Sequence, residues 1–193
     1  MCSSDLANTV KELIAYAKTK PDGLLFGSSG AGSTNHLAGE LFKLMTGAPL
    51  VHIPYKGAAA NAIAVVQGEI SMAFQPLAAA IPHVKAGRLK GIAVTGVKRA
   101  RAVPEIPTVG ETVRGYTVEA WYGLVVPART PRPLIVLLNR ESNRVLAAAD
   151  VADTLMKNGI EPEGGTPEAF AALINEDAAR MAKLVKEAGI KFD

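Results

Sequence analysis

The first feature of the sequence is a short apolar run followed by a turn and an amphipathic segment. Leu24–Phe26 is apolar, residues 27–34 are all Gly, Ser, Ala or Thr, and leucines then recur at helical spacing from Leu37 to Leu44. Ser33 and Thr34 stand where a hydroxyl can cap the helix that follows. The pattern therefore predicts a strand–turn–helix unit over residues 24–44, with its turn at the amino end of the helix.

The alternation of short apolar runs and helical segments continues as far as Thr95. Thr9 and Glu12 form a capping box that predicts an earlier helix ending near Lys18. Further strands are predicted at 51–53, 70–74 and 89–95, and further helices at 58–67 and 76–86. Strands that alternate with helices through short connections favour a mostly parallel sheet with helices on both faces, so an α/β fold is expected.

After Thr95 this rhythm changes. A polar loop leads to a short helical piece near 109–113 and then to the β-rich stretch Tyr116–Val126, which is predicted as one strand. Three helices are predicted after it, at 133–147, 151–158 and 167–188. A single strand cannot pair its backbone or cover its own faces. We therefore predict a linker or crossover helix over 1–19, a complete α/β ligand-binding lobe over 20–115, and over 116–193 a crossing strand and helices of an incomplete other lobe.

Composition and charge narrow the function classes. The net charge of +3 comes from scattered Lys and Arg residues, without the dense basic patch and interleaved aromatics of a nucleic-acid-binding surface. The one cysteine, Cys2, excludes an internal disulfide, and the three histidines lack metal-ligand spacing. No apolar run approaches the roughly 18 residues that span a bilayer. We expect neither a nucleic-acid partner, a metal, a cofactor nor a membrane span.

The Gly/Ser turn, Gly27–Thr34, nearly matches three nucleotide or catalytic motifs. It departs from the phosphate-binding loop because Ser33 stands where the lysine is required, from the dinucleotide motif at Asn35, and from the nucleophile elbow at Ala31. What remains is a neutral cradle of backbone N–H groups and hydroxyls at a helix start, which suits a carboxylate held without a covalent step. A tight turn that binds nothing and a phosphate-loop nucleotide-binding enzyme are the alternatives.

Two other predicted strands end in residues that suit the same site. Tyr55–Ala59 follows the second strand and Gln75–Pro76 follows the third. In open parallel sheets, ligands bind beyond the carboxyl ends of the strands. We therefore expect the backbone N–H groups near Gly57 and Ala58, and the side-chain amide of Gln75, to face the Gly/Ser turn.

The sequence shows no catalytic constellation. Ser28 or Ser29 would need a general base and an oxyanion partner to act as a nucleophile, and no such set is visible. His36 is interpreted as structural, and Trp121 as a packing anchor between lobes. No enzymatic activity is expected.

Several segments, in order along the chain, resemble one family. The segments GSSGAGSTNHLAGELF, VHIPYKGAAA, PHVKAGRLKGIAVTGVKRA and AWYGLVVPARTP are similar to those of tripartite tricarboxylate transporter substrate-binding proteins, the Bug-type periplasmic solute receptors. The resemblance covers residues 7–193. It implies a type II periplasmic-binding-protein-like lobe with a partial second lobe. It also implies a periplasmic, non-catalytic receptor that closes on a small carboxylate and delivers it to membrane permease subunits.

The resemblance also implies which residues contact the ligand. They lie in the Gly/Ser turn and at the two neighbouring strand ends: Ser28, Ser29, Gly30, Gly32, Ser33, Gly57, Ala58 and Gln75. The chain departs from the family at Gln75-Pro76, where an acidic or amide pair such as Asp-Asn is usual. We also expect the family's secretion signal and the first half of its first lobe to be absent from this sequence. A ligand-sensing module of a regulator is a further alternative.

Overall fold

The sheet of the protein is small and entirely parallel. The computed structural model describes residues 7–190. Its three strands are β1 (Leu24–Ser28), β2 (Leu50–Pro54) and β3 (Met72–Ala73), in the order β2-β1-β3. In the parallel register Phe26 of β1 lies opposite His52 of β2 and Met72 of β3. The predicted α/β class with a parallel sheet is confirmed.

Seven α-helices accompany the sheet within the described residues. They are α1 (Val10–Lys18), α2 (Thr34–Thr46), α3 (Ala58–Gln67), α4 (Leu77–Lys85), α5 (Arg132–Leu146), α6 (Ala149–Lys157) and α7 (Pro167–Ala188), with a 3₁₀ turn at Val109–Glu111. The predicted caps are present: the hydroxyls of Thr9, Ser33 and Thr166 each accept a hydrogen bond from a backbone N–H of the helix they precede. These caps satisfy N–H groups that a helix start otherwise leaves unpaired.

Helices cover both faces of the sheet. On one face, Phe26 is fully buried against a cluster to which α1 contributes Leu13 and α2 contributes Phe42. On the other face, Val65 of α3 packs with Ile53 of β2. Successive strand residues point to opposite sides of a sheet, so β2 contributes Leu50 to the first cluster and Ile53 to the second. The strand ends are thereby held in a fixed frame.

Two predicted strands are wrong. Residues 89–95 form no strand: one parallel bridge joins Val94 to Thr108, and Ile92 and Ala93 pack against the main cluster. The predicted crossing strand over 116–126 is also irregular. Val118 N donates to Thr95 O at 2.9 Å near its start, and Trp121 Nε1 donates to Asp177 Oδ2 at 3.0 Å farther along. A β-rich sequence becomes a strand only where another backbone pairs with it over several residues, and within residues 7–190 these two segments make only isolated backbone pairings. The third strand is also shorter than predicted.

The carboxyl-terminal helices contact the sheet-bearing part of the chain mainly through α7. This helix packs against α2, and Leu184 is its buried residue. Helices α5 and α6 contain no buried residue. Several large apolar side chains of this region are exposed: Tyr122, Leu124, Val125, Leu134, Val136, Leu137 and Leu173. The described residues therefore leave an apolar face uncovered. The assignment of 116–193 to an incomplete lobe stays a prediction.

Gly39 permits the close approach of α2 to the sheet, which gives a first prediction. A Cβ at this position would collide with the ring of Phe26, which has no room to move in the core. We expect Gly39→Ala to lower the free energy of unfolding by about 1–3 kcal/mol, the usual cost of overpacking, despite alanine's better helix propensity. Urea unfolding measures this. Gly165→Ala, where nothing lies within 4 Å, is the matched control; equal midpoints for the two variants would contradict the packing argument.

Candidate functional site

The eight residues predicted to bind the ligand lie at one edge of the sheet. The loop after β1, which contains five of them, is central because β1 lies between β2 and β3. Gly57 and Ala58 follow β2 at the start of α3, and Gln75 follows β3. The strands are parallel, so their carboxyl ends meet at the same edge. The fold thus brings together residues from three separate stretches of sequence.

Ser28 differs from the expectation that its hydroxyl faces a ligand. Its side chain has no exposed surface. The Oγ atom lies 2.9 Å from Gly30 O, 3.1 Å from Gly30 N and 2.7 Å from His52 Nε2. One hydroxyl can donate once and accept twice, so these three partners use its whole capacity. The side chain of Ser28 therefore shapes the loop from within.

Ser33 and two glycines set the course of the loop. Ser33 Oγ donates to Gly30 O at 2.7 Å and accepts from His36 N at 3.3 Å, which makes it the cap of α2. Gly30 and Gly32 have φ angles of 136° and 74°, which side chains other than hydrogen rarely allow. The chain can therefore reverse direction tightly enough to place α2 directly after β1.

The loop leaves several donors free. Within residues 7–190, the backbone N–H groups of Ser29, Ala31, Thr34 and Asn35 have no acceptor, and neither does the hydroxyl of Ser29. Thr34 and Asn35 are the first residues of α2, where intrahelical bonds do not reach the N–H groups. All four residues are at least partly exposed. Together with the positive end of the helix dipole, these donors can hold an anion.

The loop after β2 lies against the loop after β1. Tyr55 N donates to Ser28 O at 3.0 Å, and a Cβ on Gly30 would lie 3.9 Å from Tyr55 O. Gly57 begins α3 without a side-chain cap, and its own N–H donates to Tyr55 O at 3.0 Å, so the N–H groups of the helical residues that follow it are the ones open to a ligand. Two helix starts therefore stand side by side. Lys56, the nearest cation in sequence, is exposed and bonds to neither loop.

Gln75 carries an unused amide. Both its Oε1 and its Nε2 are buried, and neither has a hydrogen-bond partner within the described residues. The Nδ2 of Asn35, at the start of α2, is likewise buried and has no hydrogen-bond partner within the described residues. Buried polar atoms without partners are uncommon and cost free energy unless water or a ligand satisfies them. Asn35 was not singled out from the sequence, although its place in the first turn of the helix could have indicated it.

Two histidines that sequence analysis treated separately are stacked beneath the loop. The rings of His36 and His52 have centroids 3.7 Å apart and an angle of 13° between planes. His36 Nδ1 accepts a hydrogen bond from Gly32 N at 3.1 Å, and His52 Nε2 lies 2.7 Å from Ser28 Oγ. The structural role predicted for His36 agrees with its burial. The pair was missed because the register that aligns His52 with Phe26 is not visible in sequence.

The environment of the pair keeps both rings uncharged at neutral pH. Burial, together with the charges of His36 and Lys43, lowers the pKa of His52 to about 4. Burial also lowers the pKa of His36, while the Glu40 carboxylate, 3.9 Å from its Nε2, acts in the opposite direction. A low-dielectric surrounding disfavours the imidazolium form.

This lowered pKa predicts a pH dependence of stability. The unfolded chain binds a proton at His52 below its ordinary pKa of 6.5, whereas the folded chain does so only below about 4. Between these values the unfolded state binds more protons, so the free energy of unfolding falls as the pH falls. We expect His52 to account for about 3 kcal/mol of this loss, since each unit of pKa difference is worth about 1.4 kcal/mol. Urea unfolding at successive pH values tests it: His52→Gln should give a flatter slope than the parent, and identical slopes would contradict the assignment.

Three further findings concern the described residues. A cleft of about 380 Å³ is lined by Gly96, Val97, Thr108, Gly110, Glu111, Gly115, Tyr116 and Thr117, none of them a predicted site residue. Within residues 7–190 no three His, Cys, Asp or Glu side chains are grouped as a metal site would require. The helices of that part of the chain also fall short of the length and apolar character that a bilayer crossing demands.

Comparisons with known proteins agree with this geometry. Residues 3–190 match the family described as the tripartite tricarboxylate transporter family receptor. The UPF0065 protein in the tcbD-tcbE intergenic region of Pseudomonas sp. strain P51 is 33% identical over 180 residues, covering 92% of this chain and 54% of that protein. The chain therefore spans about half the length of this curated relative.

Solved structures with bound carboxylates are similar in fold. The structure of R. palustris Rpa4515 with adipate has a TM-score of 0.90 and 34% identity, and covers 97% of this chain and 63% of that one. MatC (Rpa3494) from Rhodopseudomonas palustris with bound malate has a TM-score of 0.84 and 25% identity, over 95% of this chain and 64% of that one. The family match over nearly the whole sequence decides the assignment: this chain belongs to the Bug-type receptor family of tripartite tricarboxylate transporters.

Proposed function

We propose that this chain is the ligand-binding part of an extracytoplasmic, periplasmic solute-binding protein. It binds a small carboxylate anion and delivers it, chemically unchanged, to the membrane permease subunits of a tripartite tricarboxylate-type transporter. The eight predicted residues form the contact region, with Ser28 contributing through the shape of the loop. No catalysis and no cofactor are part of this function.

The observation that carries the proposal is the set of free donors at two adjacent helix starts. The free N–H groups of Ser29, Ala31, Thr34 and Asn35 are suited to bind an anion. Within the described residues, no lysine or arginine side chain bonds to either loop. A phosphate-binding loop relies on a lysine to reach the terminal phosphates, and here that position is the helix cap Ser33. Uncharged donors suit a carboxylate, which spreads one negative charge over two oxygens.

Family membership supports the rest. The family is described as a transporter receptor, and similar structures hold adipate and malate. We infer that a dicarboxylate is the ligand class here as well. The neutral amide of Gln75, buried without a partner, is suited to one of its carboxylates because an amide can donate without requiring a counter-charge.

Isothermal titration calorimetry of the 193-residue chain tests this proposal. Adipate, malate, citrate and benzoate are titrated separately, with inorganic phosphate and ATP·Mg²⁺ as competing chemistries. We expect saturable binding of at least one carboxylate and none of phosphate or nucleotide. Binding of ATP·Mg²⁺ or phosphate without any carboxylate would support the phosphate-loop alternative, and no binding of any carboxylate would overturn the proposal.

A further inference from the structure

The two stacked histidines are hydrogen-bonded directly to the loop that forms the candidate site. His36 Nδ1 accepts the hydrogen bond of Gly32 N at 3.1 Å. His52 Nε2 lies 2.7 Å from Ser28 Oγ, which in turn holds Gly30 N at 3.1 Å. The two glycines that give the loop its course are therefore both restrained by imidazole rings, one directly and one through Ser28.

The bond to Gly32 defines the proton positions of His36. A ring nitrogen that accepts a hydrogen bond carries no proton, so neutral His36 holds its proton on Nε2, which faces Glu40 Oε1 at 3.9 Å. A second proton can then enter only at Nδ1. An imidazolium donates from both nitrogens, and the N–H of Gly32 would face an N–H in place of a lone pair. Protonation of His36 and the bond to Gly32 are therefore mutually exclusive.

The charged groups around the pair come from α2. Glu40 is buried and faces His36, and Lys43 Nζ lies 3.4 Å from Glu40 Oε2. Phe26 of β1 contacts both imidazoles from the core side. The Glu40 carboxylate lies close enough to balance a charge on His36, so an imidazolium here adds little attraction for an anion in the loop. The broken bond to Gly32 is then the main effect of protonation.

We propose that His36, stacked on His52, is an acid-sensitive latch that positions the Gly30–Ser33 loop, and that its protonation releases Gly32 and weakens the hold on a carboxylate. This regulation rests on the proposed function of the loop. Stacking opposes a charge on both rings at once, because the two centroids lie only 3.7 Å apart. His36 is a positioning residue in this arrangement, since its ring lies beneath the loop.

The first test follows the loop without any ligand. Backbone amide NMR signals of Gly30 and Gly32 and the ring signals of His36 are recorded from pH 7.5 to pH 4. We expect both glycine signals to shift with the same midpoint as the His36 ring. His83→Asn, a change at a histidine in α4, should leave this titration unaltered. Glycine signals that stay constant while His36 titrates would overturn the latch, whatever the chain binds.

The second test measures adipate affinity at pH 7.5 and pH 5 in three proteins. Between pH 7.5 and pH 5 the adipate affinity of the parent chain should fall roughly tenfold more than that of His36→Asn, a difference of about one hydrogen bond. His36→Asn keeps an acceptor near Nδ1 but cannot be protonated. Protonation of adipate itself affects both proteins equally, so the comparison with His36→Asn corrects for it. His36→Phe, which lacks an acceptor, should bind weakly at both pH values. Tighter binding by the parent at pH 5, or equal pH dependence in parent and His36→Asn, would overturn the inference. If no variant binds adipate or any other carboxylate of the calorimetric series at any pH, the proposed function fails, and the loop titration alone decides the latch.

Discussion

Phe26→Ala is expected to lower the free energy of unfolding by about 3–5 kcal/mol, the cost of removing a large side chain from a packed core. Phe26 is fully buried in the central strand. Its ring contacts Phe74 and His52 at centroid distances of 6.0 Å and 5.1 Å. The neighbouring side chains cannot easily collapse into the cavity left by Phe26→Ala, because β1 is held on both sides by β2 and β3. Urea unfolding followed by circular dichroism measures the change.

Leu25→Ala is the control for this substitution. Leu25 precedes Phe26 in the same strand, points to the other face and is 36% exposed, so its truncation removes less buried surface. We expect a loss of about 1 kcal/mol for it. Similar losses for the two variants would contradict the position of Phe26 at the centre of the main cluster.

Ser29→Asp is expected to weaken carboxylate binding about 100-fold or more. Ser29 is partly exposed, and its hydroxyl has no hydrogen-bond partner within the described residues. A carboxylate placed there would stand beside the bound anion, and two like charges at about 4 Å repel by roughly 4 kcal/mol in a partly screened environment. Calorimetric titration with adipate measures the loss.

Ser29→Asn separates charge from shape in this experiment. Asparagine has the size of aspartate without its charge, so we expect a change of less than about fivefold, because an amide can still donate a hydrogen bond. Urea midpoints of both variants should match the parent, since the position is not part of the core. Equal affinities in Ser29→Asp and Ser29→Asn would exclude an anion beside Ser29.

The local parts of this fold could be predicted from the sequence. Ser33 caps α2 as expected, and α3 has its predicted bounds because a glycine stands at each end, Gly57 and Gly68. These features depend on residues within a few positions of each other. The strand–turn–helix at Leu24–Thr46 and the position of the site at its turn follow from the same kind of signal.

The non-local parts could not be predicted. The strands expected at 89–95 and 116–126 failed because strand formation depends on a partner backbone, which composition does not reveal. The stacking of His36 on His52 depends on strand register, and the buried hydroxyl of Ser28 depends on that stacking in turn. A histidine aligned with an inward-facing phenylalanine of the central strand was the available signal, but it requires the register to be known.

The most direct test of the central claim is to locate the ligand on the chain. Backbone amide NMR signals are compared before and after saturation with the carboxylate that binds in calorimetry. We predict that the largest shifts fall on Ser29, Ala31, Thr34 and Asn35, followed by Gly57 and Ala58. Shifts concentrated instead around the cleft lined by residues 96–117, with the Gly/Ser loop unchanged, would contradict the account.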